Sequence, residues 1–338
     1  MRPLKFCIAS LVVAFVAAGC GMDSSQYPNG NLVLYSGRSE SLIAPLIEQF
    51  RTTFGIDVQV RYGNTAELAA TLLEEGENSP ADLFFAQDPG GLGAVAKEGI
   101  LAELPKTILD LVDQRFRSPD NLWIGVSGRA RVIAYNTETL SPEDLPNDLK
   151  GFSDPKWKGR IGLPPTNSSF QTMVTAMRYS WGEEATREWL EGIMANDPEF
   201  YEKNTPTVAA VGAGEVDVGF VNHYYLYRFL KEEGESFPAR NYFLPSGGPG
   251  SLVMAAGIGR LATSENTDNA LKFIEYLLST EAQTYFAEET FEYPLVPGIE
   301  INEGLIPLAD LIVIDIDLAD LADLKGTIEL LKAVGMLP

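Results

Sequence analysis

From Asn31 onward, the apolar positions switch repeatedly between a period of two and a period near 3.6. Asn31–Tyr35 reads as a buried strand, and Ser39 opens a helical pattern through Leu42, Ile43, Leu46, Ile47 and Phe50 that stops at Gly55. Ile56, Val58, Val60 and Tyr62 alternate with polar residues as a second strand. Leu68, Leu72 and Leu73 fit a helix, and 82–85 fits a third strand. Further strands are expected at 122–128, 132–135, 160–162, 216–221 and 251–258, with helices over 169–179, 183–194, 207–213, 225–233, 268–278 and 280–286. No repeat of short fixed period runs through the chain. Alternation of this kind predicts an α/β fold whose sheet is covered on both faces. Two lobes joined by crossing strands and one large sheet both fit the pattern.

Residues 1–30 depart from it. Arg2 and Lys5 precede an apolar run from Phe6 to Val16, and Ala17, Ala18 and Gly19 lead into Cys20. That is the layout of a secretory signal, and the run is shorter than the roughly 20 apolar residues of a spanning helix. Ala-Gly-Cys at this point is similar to a bacterial lipobox, with Ala17 where Leu is more usual. The expectation is a signal peptide over 1–19, lipid on the Cys20 thiol, and a flexible tether over 20–30, where Ser24, Ser25, Pro28 and two glycines are polar or turn-forming. The body would then be exported and held at the periplasmic or extracytoplasmic face of a membrane. An ordinary signal with Cys20 incidental is the alternative.

Composition narrows the chemistry. The 338 residues are 45% hydrophobic and 21% charged, enough for two cores. Losing Cys7 with the signal and acylating Cys20 would leave no thiol, which excludes disulfides, thiolate metal sites and Cys nucleophiles. The formal charge of −22 repels nucleic acid and anionic lipid. His223 is the one histidine, and no Gly-x-Ser-x-Gly elbow accompanies it, which argues against a Ser-His-Asp hydrolase. Ser246–Gly250 lacks the Lys-Ser/Thr that would follow in a phosphate-cradling Walker loop. Catalysis is not expected.

Four local features remain, each in a loop or at a helix start. Tyr35-Ser36-Gly37-Arg38-Ser39 and Phe85-Ala86-Gln87-Asp88 follow the first and third strands, at carboxyl ends where open α/β sheets bind ligands. Thr166-Asn167-Ser168-Ser169 precedes a helix and offers amides and hydroxyls to an anion. Asn222-His223-Tyr224-Tyr225-Leu226-Tyr227 follows the strand at 216–221. Each has a plainer reading. Ser168 and Ser169 can be simple caps, Tyr225 and Phe229 a packed aromatic stripe, His223 a hydrogen-bonded strand-end histidine, and Arg129 and Arg131 partners of surface acids.

Taken in order, these stretches resemble the ferric-ion-binding proteins of bacterial iron ABC importers, within the type 2 extracellular solute-binding proteins. The resemblance spans nearly the whole mature chain. It is carried by Gly125-Val126-Ser127-Gly128-Arg129-Ala130-Arg131-Val132-Ile133-Ala134-Tyr135, Asp154-Pro155-Lys156-Trp157-Lys158-Gly159-Arg160-Ile161-Gly162, Lys203-Asn204, Gly214-Glu215-Val216, Asn222-His223-Tyr224-Tyr225, Pro249-Gly250-Ser251-Leu252-Val253 and Glu292-Tyr293-Pro294-Leu295.

The resemblance implies two α/β lobes around a ligand cleft, with the chain crossing near Arg131, returning near Val253 and crossing again near Ile306. The lobes would be 31–131 plus 254–305 and 132–253 plus 306–338. It implies Fe3+ bound by the phenolates of Tyr224 and Tyr225, hard oxygen ligands for a hard cation. A synergistic anion, carbonate or phosphate, would meet Arg129, Thr166, Asn167, Ser168, Ser169, Asn204 and Asn222; Arg suits an oxyanion through its planar fork. It also implies a monomer that delivers iron to a permease driven by a separate ATPase.

The sequence departs from the family at three ligand positions. Ser39 stands where some members have His, Gln87 where they have Glu, and Phe170 where others have a third Tyr. Asp88, next to Gln87, is the candidate substitute ligand. An organic or oxyanion solute such as a phosphonate or ferric chelate, and a lipid-anchored metal sensor or scavenger, stay open as alternatives.

Overall fold

The computed structural model describes residues 31–314, 316 and 318–338. The expected signal peptide 1–19, Cys20 and the tether 20–30 lie outside the described residues. The first part of the chain alternates as β1 (Asn31–Ser36), α1 (Glu40–Phe54), β2 (Asp57–Tyr62), α2 (Thr65–Glu75), β3 (Leu83–Ala86), α3 (Pro89–Lys97), β4 (Leu101–Ala102) and α4 (Lys106–Leu109). The long β5 (Ile124–Asn136) follows, then β6 (Ile161–Leu163), α5 (Ser168–Trp181), α6 (Glu183–Ala195), β7 (Glu199–Phe200), α7 (Asn204–Ala213), β8 (Val218–Asn222), α8 (Tyr224–Glu233) and β9 (Ala239–Tyr242). The chain closes with β10 (Val253–Leu261), α9 (Thr267–Leu277), α10 (Thr280–Glu288), β11 (Tyr293–Pro294) and α11 (Leu324–Ala333).

The expected helix after Ser39 is α1, and Gly55 ends it in the left-handed conformation, with its amide closing on the Arg51 carbonyl. Leu73, part of the apolar pattern of α2, is left exposed.

β5 organises everything else. Its first half, to Ala130, runs antiparallel to β10, and its second half, Arg131–Asn136, runs antiparallel to β8 and β9. On the first side β10 continues to β3, β1 and β2, the last three mutually parallel; on the other, β8 continues to β6 and β7. Two strands expected at 122–128 and 132–135 are therefore one strand of 13 residues, all buried. Gly128, Arg129 and Arg131 interrupt the apolar run, so the sequence pattern breaks where the strand passes from one sheet to the other.

The cores follow from this division. Leu32, Leu34, Phe84, Ile258 and Phe273 belong to one apolar cluster with α1 and α9 around the first sheet. In the second sheet the faces separate by the two-residue period of β5: Ile133 and Tyr135 join Phe152, Trp189 and Leu330 on one face, while Val132 and Ala134 join Val208, Val211 and Leu226 on the other. The C-terminal segment touches both sides. Leu305, Leu318 and Leu321 pack in the first cluster, whereas Leu330, Leu331 and Met336 pack in the second against α5. The architecture is a mixed α/β type 2 binding-protein fold with two lobes joined at β5.

Candidate metal and anion site

The loops at the carboxyl ends of β1, β3 and β8, the starts of α5 and α7, and the crossing point of β5 converge between the two sheets. Gly37 lets the first loop approach α2, because a Cβ there would collide with the Thr65 hydroxyl. The next residue, Arg38, is buried and forms a 2.7 Å ion pair through Nη2 with both carboxylate oxygens of Glu292, itself fully buried. Burial opposes the Arg38 charge, but Glu292 and the two tyrosines Tyr224 and Tyr225 more than compensate and raise its pKa.

Arg129 and Arg131 share one face of β5, two residues apart, and both are buried. Arg131 Nη1 donates to Asn222 Oδ1 at 3.1 Å, Asn222 Nδ2 donates to Ser169 Oγ at 3.1 Å, and Arg129 Nη1 reaches the same oxygen at 3.4 Å. Burial and the neighbouring Arg129 push the Arg131 pKa down to about 9. Among the described residues neither arginine pairs with a surface acid, contrary to that reading of the sequence.

Tyr224 opens α8 and is fully buried, and its ring stacks on that of Tyr225 with centroids 4.2 Å apart. Burial first, then the adjacent Tyr225, hold the Tyr224 phenol well above its usual pKa, opposed by Arg38 and Arg129. Among the described residues its hydroxyl has no hydrogen-bond partner, nor have Nε and Nη1 of Arg38, Nε and Nη2 of Arg129 and Arg131, Oδ2 of Asp88, or Oδ1 of Asn204. A packed interior leaves few such atoms, so a buried group of them marks a site made for something else to satisfy. The donors exceed the acceptors, which suits an anion, and the buried phenol suits a cation that displaces its proton.

Asp88 is buried before α3, and burial raises its pKa against the pull of Arg129, Ser168 and the Gly91 and Gly90 amides. Gln87 is buried, and its backbone N–H donates to Thr65 Oγ1 at 3.0 Å. Asn167 caps α5: its side chain accepts from the Ser169 amide at 3.0 Å and from Asn204 Nδ2 at 3.3 Å, and its carbonyl takes the Phe170 and Gln171 amides. Of the amides expected to be open to an anion, those of Asn167 and Ser169 are thus already used, while the buried arginines keep nitrogens without partners among the described residues. Thr166 is exposed and donates to the Glu202 carbonyl at 3.2 Å, outside the buried group. Phe170 lies wholly in the second core and Ser39 is exposed before α1.

His223 is fully buried and hydrogen-bonded through both ring nitrogens, so the plainer reading of that residue holds. Burial pushes its pKa down to about 4. Arg38 and Glu292 stand in stretches that the sequence drew out, but their pairing was not legible there; 254 positions separate them, and no local pattern links such a pair. Arg129 and Arg131 carried a usable signal, two cations at strand spacing inside an apolar run.

Among the described residues no three His, Cys, Asp or Glu side chains gather in a way that could hold a metal, and no helix is long and apolar enough to cross a membrane. A cavity of about 700 Å3 is lined by Tyr227, Leu230, Asn241, Phe243, Phe291 and Gly304 among others.

Residues 78–318 match the family model described as bacterial extracellular solute-binding protein. An Fe(3+)-binding periplasmic protein of Serratia marcescens is 32% identical over 339 residues, covering 100% of this chain and 98% of the relative. Iron-bound HitA from Pseudomonas aeruginosa superposes with a TM-score of 0.86 at 34% identity, covering 90% of this chain and 99% of that one. A Trichodesmium protein, IdiA or FutA, solved with iron and citrate ligands, gives 0.79 at 31% identity, covering 90% and 99%. The long match to the family model, together with solved relatives whose fold covers 90% of the chain, means that this chain belongs to the bacterial extracellular solute-binding protein family.

Proposed function

We propose that the protein is the solute-binding lipoprotein of an ABC importer and carries Fe3+ on the Tyr224 and Tyr225 phenolates together with a synergistic anion. The observation that carries this reading is the partnerless, buried Tyr224 hydroxyl among three buried arginines. Two phenolates offset two of the three charges of a ferric ion, and the guanidinium groups add more positive charge, so a doubly charged oxyanion such as carbonate or phosphate completes the balance. Arg129, Ser168, Ser169, Asn204 and Asn222 would meet that anion, with Asn167 holding the helix start in place; Thr166 has its hydroxyl engaged elsewhere. Asp88, with Gln87 beside it, would supply a further ligand from the first lobe. Relatives named for ferric iron support the cargo.

The hinge-bending units in this reading are 31–131 plus 254–305 and 132–253 plus 306–338. The packing of Leu318 and Leu321 supports counting these two residues with the first lobe instead. Lipid on Cys20 would tether the monomer to the membrane, and a permease with its ATPase would take the iron. The second reading, a solute that is itself a chelate of iron, is favoured by the number of partnerless guanidinium nitrogens and by the citrate in the Trichodesmium relative.

The test is a titration of metal-free protein, residues 21–338, with ferric citrate in the presence and absence of bicarbonate or phosphate, followed by visible absorbance. A phenolate-to-iron charge-transfer band is expected in the wild type and lost in Tyr224→Phe and Tyr225→Phe. The band should weaken as pH falls, because iron must displace phenolic protons and burial already favours the protonated Tyr224. No band under any anion would reject the tyrosine site in favour of an organic or oxyanion solute.

A further inference from the structure

His223 immediately precedes Tyr224, and its four polar groups tie it to three residues of the frame, Ala130, Phe291 and Asn241. Its amide donates to the Ala130 carbonyl at 3.0 Å, and the Ala130 amide donates back to Nδ1 at 3.1 Å. Both polar groups of Ala130, the residue between Arg129 and Arg131, are thus held by one histidine. Because an amide can only donate, Nδ1 is an acceptor and the ring proton sits on Nε2. Nε2 in turn donates to the Phe291 carbonyl at 2.8 Å. The His223 carbonyl accepts from Asn241 Nδ2 at 2.8 Å, and the ring stacks on Tyr293 at 4.7 Å.

The far end of this bridge is unusual. Phe291 has a φ of 57°, a left-handed conformation that a bulky residue adopts only when its surroundings enforce it. The same turn directs its carbonyl to His223, lays its ring on Tyr227 with centroids 5.2 Å apart, and presents the next residue, Glu292, to Arg38. A continuous path therefore runs from Arg38 through Glu292 and Phe291 to His223 and Tyr224.

We infer that His223 is a positioning residue for the iron site, a neutral strut that fixes Tyr224 on the second lobe against β5 and against the strained Phe291–Glu292 turn of the first. This rests on the reading of Tyr224 as an iron ligand. Both ring nitrogens are engaged, so the histidine acts through its neighbours and does not coordinate the metal. Its bonds set the separation between the phenolate and the Arg38 guanidinium, and with it the geometry that the metal and anion meet.

The test uses His223→Leu, His223→Asn and His223→Gln in the same titration with ferric citrate and bicarbonate or phosphate. Asn keeps an acceptor for the Ala130 amide, Gln keeps a donor that can reach the Phe291 carbonyl, and Leu keeps neither. The Leu variant is expected to shift the charge-transfer band and weaken iron binding by about tenfold, as for a buried partner left unpaired, and Gln is expected to recover most of both. Circular dichroism establishes folding. Should Leu fail to fold, Asn against Gln decides, with a shifted band in Asn and a restored one in Gln expected. Folded variants whose band and affinity equal the wild type's overturn the strut, while a wild type without a band overturns the iron reading and the inference with it.

Discussion

Burial and the nearby Arg129 hold the Arg131 pKa at about 9, so the charge of Arg131 is maintained at neutral pH against the preference of its surroundings. Its side-chain hydrogen bond to Asn222 leaves Nε and Nη2 without partners among the described residues. A buried cation of this kind lowers the stability of the protein that carries it, and apolar replacement of such groups is often stabilising. Arg131→Met should therefore raise the stability of the metal-free protein by about 1–2 kcal/mol, read as a higher urea midpoint with an unchanged slope. The same variant should need more bicarbonate or phosphate to develop the iron band. A lower midpoint would mean that the guanidinium serves the fold and not the anion. Arg38 differs because Glu292 offsets its charge, which is why its pKa moves the other way.

Helix α11 shows how an element far from the site supports it. Asp323 accepts the Gly326 amide at 3.1 Å and pairs with Arg178 at 3.0 Å, while Thr175 and Thr327 share a buried 2.7 Å hydrogen bond. These contacts fasten α11 to α5, the helix whose first turn carries Ser168 and Ser169. The Gly326 amide, then Arg178, hold the Asp323 pKa below its usual value. A carboxylate with a lowered folded-state pKa stabilises fully above its unfolded value and loses that contribution as pH falls through the folded one. Asp323→Ala should cost about 1 kcal/mol near neutral pH, and the difference from wild type should vanish in acid below the ordinary carboxylate range. Thermal unfolding at several pH values measures both. A difference that persisted in acid would assign the effect to packing.

At the scale of the whole molecule, site residues come from both sheets: Arg38 and Asp88 from the first, Asn204, Asn222, Tyr224 and Tyr225 from the second, and Arg129 and Arg131 from the strand they share. A ligand that meets both sides favours the arrangement in which they are close. Iron with its anion at 100 times the dissociation constant should add about 2.7 kcal/mol of stability and reduce the radius of gyration in solution scattering. Tyr224→Phe should show neither response. Stabilisation without compaction would point to binding on one lobe alone.

Much of the fold was legible in the chain because helix and strand periods are local. α1 with its Gly55 stop, the alternating β2, and the helices α6, α9 and α10 stand within a residue or two of where the apolar spacing puts them. The order of family-like segments likewise pointed to a solute-binding protein. The continuity of β5 was hidden, since buried arginines read as a break in an apolar strand until a polar site accounts for them. Partnerships across the chain left no local mark: Arg38 with Glu292, and His223 with Ala130 and Phe291. The capping of α5 by Asn167, which takes the Ser169 amide that looked open to an anion, also depended on loop geometry. Periodicity and residue type determined which elements form and which side chains were candidates, because both act over a few residues. Which candidates meet, which are buried, and which keep a free valence was decided by tertiary packing, because burial and pairing are properties of neighbours brought together from distant parts of the chain.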